Sequence, residues 1–147
     1  MLASRAEAFS QTFEPIQIRT AFEWVASDDR DNIAIFWPCE FGPVPSAIHQ
    51  FSLEEHLDWC RCLYQLSPAM LDGDNQVELP DLGFYFFSLE NHESYSNDGY
   101  QRLGSPSQPK TVSELPEQFR RLVSAVRFPD TFSDTAVIFA AKLWPTV

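Results

Sequence analysis

The period of the apolar positions changes several times along the chain, and each change marks an element. Phe22, Trp24 and Ala26 alternate with Ala21, Glu23 and Val25, which predicts a strand over residues 20–26. Ser27-Asp28-Asp29-Arg30-Asp31-Asn32 is a polar turn cluster. Ile33-Ala34-Ile35-Phe36-Trp37 then runs apolar without a break. Such a run reads as a buried strand, here the centre of a sheet, and with the preceding strand it forms a hairpin. Pro38, Gly42, Pro43 and Pro45 end the run. Prolines fix φ and remove backbone donors, so this connection is stiff and cannot extend the sheet. It holds Cys39, Glu40 and Phe41 out on its surface.

Two stretches have helical period. Ser52 with Glu55 three residues on is a capping box, and Leu53, Leu57, Cys60 and Tyr64 recur at helical spacing with Leu63 and Leu66 beside them. This predicts an amphipathic helix over Leu53–Leu66. The second helix is capped by Ser113, carries Pro116 in its first turn and is stopped by Pro129. Leu115, Phe119, Leu122, Val123 and Val126 form its apolar stripe, with Arg120, Arg121 and Arg127 towards its C-terminal part. Further strands are predicted over residues 82–87, 100–103 and 135–143, the last buried in its first half. A short helix is predicted over residues 3–13, limited by Pro15. Residues 72–75 are a turn and residues 104–111 a linker-like loop. The order is helix, hairpin, helix, strands, helix, strand. It predicts a single α+β domain over residues 1–147, with an antiparallel or mixed sheet and two main amphipathic helices on one face.

Composition narrows the class. At 147 residues, 44% apolar and 14% aromatic, the chain can build a proper core and is too aromatic to be disordered. Its longest apolar runs are too short to cross a bilayer, and the first residues lack a secretory apolar segment. Three cysteines, two of them Cys60 and Cys62, do not make a disulfide framework. The expected compartment is the cytoplasm.

Charge is placed unevenly. The net charge of −11 is the sum of zero over residues 1–19, −13 over residues 20–101 and +2 over residues 102–147. No Lys or Arg occurs between Arg61 and Arg102. Such a field repels nucleic acid and acidic membranes and speeds encounter with a basic partner. Acidity also serves plain solubility.

The residues that suggest chemistry do so weakly. His56 and Cys60 share a helical face, but Cys62 lies on the other side of the helix, so the three do not form a metal site. Asp72-Gly73-Asp74-Asn75 has the wrong spacing for a calcium loop. His49, His56 and His92 are coupled to no nucleophile, and no hydrolase, metalloprotease or nucleotide-binding motif occurs. The expectation is no enzyme, no metal and no cofactor. Exposed aromatics among acids are the better signal: Phe41 beside Glu40 in the stiff loop, and Tyr95 and Tyr100 flanking a polar acidic loop.

A resemblance points the same way. Phe22-Glu23-Trp24, the acidic turn, Ile33-Ala34-Ile35-Phe36 and then Gly42-Pro43-Val44-Pro45 leading into a helix resemble small bacterial immunity proteins of polymorphic-toxin and interbacterial-competition systems. Tyr100-Gln101-Arg102-Leu103, the loop at 105–109 and Leu115-Pro116, opening a helix that ends at Phe128, extend the likeness. It implies a protein that binds a cognate toxin and occludes its active site, with no catalysis of its own. Charge agrees independently, because a nucleic-acid-cutting toxin needs a basic cleft that an acidic protein can plug. The expected contact residues are Asp28, Asp29 and Asp31 in the turn, Glu40 and Phe41 in the stiff loop, and Glu90, Glu93, Tyr95 and Asp98 in the acidic loop. Two alternatives stay open: an acidic secretion chaperone for an effector, and a small enzyme or ligand-binding domain.

Overall fold

A computed structural model of the chain describes residues 23–38, 43–66, 79–89 and 99–146. Five strands, β1 (Trp24–Ser27), β2 (Ile33–Trp37), β3 (Tyr85–Ser88), β4 (Gly99–Gly104) and β5 (Val137–Phe139), form one sheet in sequence order. Pairing is antiparallel except between β2 and β3, which run parallel. A parallel neighbour requires a long crossover. Here it contains helix α1 (Leu53–Leu66) between 3₁₀ turns at Ser46–Gln50 and Leu79–Leu82. Helix α2 (Glu117–Ser124) and the short α3 (Ala140–Leu143) complete the α+β fold.

Strand alternation divides the interior into two cores. On one face Val25, Ile33, Ile35 and Phe84 pack under Trp59 and Leu63 of α1 and Phe119, Leu122 and Val123 of α2. Both main helices therefore lie on the same side. On the other face Trp24 stacks on Phe36 at 4.0 Å between ring centroids, and Phe36 on Phe87 at 5.0 Å. Phe132, Phe128, Ile48 and Val44 close over this row. Aromatic pairs of this kind contribute about 0.5–1.5 kcal/mol each beyond their burial. Ile33–Phe36 reads as a continuous apolar run because it is covered on both faces. The middle strand, however, is β3; β2 lies one place off centre.

Several boundaries depart from the sequence expectation, each for a physical reason. The capping box of α1 is present: Ser52 N–H donates to Glu55 Oε2 at 2.8 Å, and Glu55 N–H to Ser52 Oγ at 3.3 Å. Its buried face is His56, Trp59 and Leu63, while Leu53, Leu57 and Cys60 are only half-buried. The predicted stripe was thus turned about the axis. The strand expected from residue 82 starts at Tyr85, because Leu79–Leu82 wind into a 3₁₀ turn and Gly83 takes φ +98°. A Cβ at Gly83 would also come within 2.9 Å of Lys110 Cβ.

Ser113 does not cap α2. Thr111 and Glu114 form a capping box around a 3₁₀ turn at Val112–Glu114, and Pro116 precedes α2 with no side-chain cap. The helix stops at Ser124, short of Phe128, because the next backbone groups are taken by β1: Ser27 N–H donates to Val126 O and Phe128 N–H to Ser27 O. The last strand ends at Phe139, where α3 begins, and its buried positions are Ile138 and Ala140. The expected helix at 3–13 and turn at 72–75 lie outside the described residues.

Candidate partner-binding surface

The hairpin turn is built from within. Asp28 is fully buried. Its Oδ1 accepts the Arg30 and Asn32 amides at 2.9 Å, and its Oδ2 accepts the Phe132 amide at 2.8 Å. The carboxylate is spent on the fold and cannot meet a partner, which corrects its expected place in the docking set. Asp31 sits at φ +61°, a conformation Asp tolerates better than most residues. Its Oδ1 accepts from Arg127 Nη1 at 2.7 Å. Both side chains are about half exposed, so this pair contributes little stability, but it cancels the charge locally. Asp29 is exposed beside the exposed Arg30. The turn read as acidic is therefore close to neutral on its surface.

The stiff loop is anchored at its described flanks. Pro38, Pro43, Val44 and Pro45 are buried. Tyr100 Oη–H donates to Pro43 O at 2.6 Å and accepts from Trp24 Nε1 at 3.2 Å. Ser46 N–H donates to Pro145 O at 2.8 Å. Tyr100, expected as an exposed aromatic, is thus a core residue holding the loop. Glu40, Phe41, Glu90, Glu93, Tyr95 and Asp98 lie outside the described residues, as does His92.

Topology nevertheless relates the segments that carry them. β2 and β3 are parallel, with Trp37 opposite Ser88, and the Leu89 amide donates to Trp37 O at 3.1 Å. The chain therefore leaves for residues 39–42 and for residues 90–98 from the same end of the sheet. The hairpin turn is at the opposite end, a β2 length of roughly 16 Å away at about 3.3 Å per residue. Trp37, 40% exposed, stands where both segments depart. Sequence reasoning missed it as a surface residue by counting it with the core strand. The available signal was position: parity places Trp37 with the buried Ile33 and Ile35, but it is the last residue of the strand, next to Pro38.

A second acidic surface lies between the helices. Glu55 and Asp58 of α1 and Glu117 of α2 rim a groove of about 360 Å³ floored by Phe119 and Leu122, with Arg121 at its edge. Arg61 pairs with Asp58 at 2.5 Å. This arrangement suits a basic or amphipathic contact.

Among the described residues no group of three or more His, Cys, Asp or Glu is placed to hold a metal ion. His56 is buried with its Nε2 2.9 Å from Ile48 O. Burial, and next the proximity of His56, lower the pKa of the half-buried His49. Burial raises the Cys62 thiol against a smaller opposing effect of Lys110, so this sulfur is poorly suited to act as a nucleophile. No helix among the described residues is long and apolar enough to cross a membrane. No protein-family model, curated protein or solved structure matches the chain.

Proposed function

We propose that the chain is a cytoplasmic immunity protein. It binds a cognate bacterial toxin and neutralises it by occluding the toxin's active site, without catalysis of its own. The observation that supports this reading is that the chain departs towards residues 39–42 and towards residues 90–98 from one end of the sheet, beside the exposed Trp37. Exposed Trp anchors with surrounding acids are the components of a tight interface to a basic partner. The charge of −13 over residues 20–101 supports rapid capture of such a partner. In this reading Trp37, Phe41 and Tyr95 anchor, and Glu40, Glu90, Glu93 and Asp98 steer and pair. Asp29 and Asp31, at the far end, contribute to the general field only.

The test requires a toxin-like reading frame directly upstream of this chain's gene, whose product is then the partner used. Co-expression should restore growth, and the purified pair should inhibit the toxin at equal stoichiometry with affinity that falls as salt rises. Trp37→Ala and the reversal Glu40→Lys with Glu93→Lys should weaken binding, whereas Asp29→Lys should leave it nearly unchanged. Failure to protect would remove the immunity reading. Protection lost with Asp29→Lys but kept with Trp37→Ala would move the interface to the other end.

A further inference from the structure

The two faces of the sheet are covered to different extents. On the aromatic face the core continues to the last strand, since Tyr100 of β4 and Ile138 of β5 are buried in the same cluster as Trp24, Phe36 and Phe132. On the helical face its strand members are Val25, Ile33, Ile35 and the half-buried Phe86, and no described residue of β4 or β5 joins it. Helices α1 and α2 therefore roof only the β1–β3 side of this face. The part left open is apolar. Trp37, Ser88, Gln101 and Val137 are register partners in one row across β2, β3, β4 and β5, roughly 14 Å long at about 4.8 Å per strand. Register partners point to one side of a sheet, and Trp37 has the parity of Ile33 and Ile35, so the row lies on the helical face. Trp37 and Val137 are 40% and 39% exposed, Gln101 is exposed, and Ser88 lies buried between them. Phe139 shares the parity of Val137, and Leu103 that of Gln101 at the register shift between β3 and β4; both are exposed.

We propose that this shelf is the apolar centre of the toxin-binding surface and receives an apolar patch on a basic domain of the toxin. The proposal rests on the immunity reading above and extends its footprint from Trp37 across the sheet to β5. Charge selects the occupant. Trp37, Ser88 and Gln101 belong to residues 20–101, which sum to −13 and carry only two bases, Arg30 and Arg61. Arg30 lies in the hairpin turn at the opposite end of the sheet, and Arg61 is paired with Asp58. A second copy of this chain would bring its own −11 against this field, whereas a basic domain is drawn to it. An apolar centre within a charged surround is also the anatomy of a protein interface. Lys142 is held over the Phe139 ring at 4.6 Å, which makes the β5 edge of the shelf locally basic. The toxin's bases therefore lie over the Trp37 side, and its apolar patch over Val137 and Phe139.

The test titrates the product of the upstream reading frame against the full chain by calorimetry and footprints the pair with hydroxyl radicals. Binding should protect Trp37, Leu103 and Phe139 from oxidation together. Val137→Arg places a like charge in the middle of the shelf and removes an apolar contact. It should weaken binding by about tenfold or more while leaving the unfolding midpoint nearly unchanged, and Val137→Ile should bind as wild type does. A product that wild type does not bind removes the immunity reading, and this footprint with it. A product bound equally by Val137→Arg and wild type, yet lost with Trp37→Ala, keeps the immunity reading and overturns the shelf. Sedimentation showing a dimer of the free chain that Val137→Arg dissolves would give the shelf to a second copy and also overturn the proposal.

Discussion

Replacing Asp28 by Ala should be among the most damaging single changes in this protein, although the residue sits in a run of five polar or charged neighbours. Its carboxylate receives three backbone amides, two within its own turn and one from Phe132, 104 residues away. The Phe132 bond is buried, so truncation leaves that amide without a partner at a cost of about 2 kcal/mol. The Arg30 and Asn32 amides are part-buried and can reach water, which limits their loss to about 1 kcal/mol each. The expected destabilisation is about 4 kcal/mol, a large share of a typical domain's stability. Asp28→Asn keeps one acceptor oxygen and turns a donor towards an amide, so about 2 kcal/mol is expected. Urea unfolding followed by tryptophan fluorescence measures both, with an unchanged slope if the effect is on the native state. Asp29→Ala, which removes only an exposed carboxylate, should stay within about 0.5 kcal/mol. A loss below about 1 kcal/mol for Asp28→Ala would refute the reasoning. It would mean that the hairpin turn does not depend on its link to Phe132.

Tyr100→Phe should cost about 2 kcal/mol in the same assay, because the Pro43 carbonyl and the Trp24 indole N–H both lose a buried partner. A cost near zero would show that the stiff loop is held by its prolines alone. Glu114 has its pKa lowered, first by the Thr111 amide and then by the Thr111 hydroxyl. Its contribution is therefore present above its ordinary value of 4.5 and is lost as pH falls through the lower folded value. The stability gap between wild type and Glu114→Gln should be constant near neutrality and close in acid; a gap that widens in acid would contradict this. Burial and His56 lower the pKa of His49 below 6.5, so the fold favours the neutral ring. Stability from this site is complete above pH 6.5 and falls as pH drops below it. His49→Gln should flatten the pH profile of the midpoint between about pH 7 and 5, and an unchanged slope would assign the pH dependence to other groups.

The residues that were legible in the sequence are those whose physics is local. The Ser52–Glu55 box, the burial of the Ile33–Phe36 strand and the stop imposed by Pro38 depend on neighbours within a few positions, and all three stand in the structure. The misread residues depend on contacts that sequence spacing cannot express. Asp28 looked solvated because its neighbours are polar, yet its burial comes from Phe132. Cys60 looked like core because it shares a stripe with two leucines, whereas Trp59 and His56 turn inward once Ile48 offers its carbonyl to the His56 ring. The same distinction bears on the candidate interface. The Glu/Phe pair of the stiff loop and the acidic segment are far apart in sequence, and only the parallel pairing of β2 with β3 starts both from one end of the sheet. A hairpin alone would have joined β2 to an antiparallel neighbour and sent the two segments to opposite ends. The α1 crossover is therefore the element on which the proposed binding end depends. A change that loosened α1 from the sheet, such as Trp59→Ala with an expected cost of about 3–5 kcal/mol, should weaken toxin binding even though Trp59 is buried and touches no partner. Binding that survived such a loosening would place the interface on the hairpin half of the molecule instead.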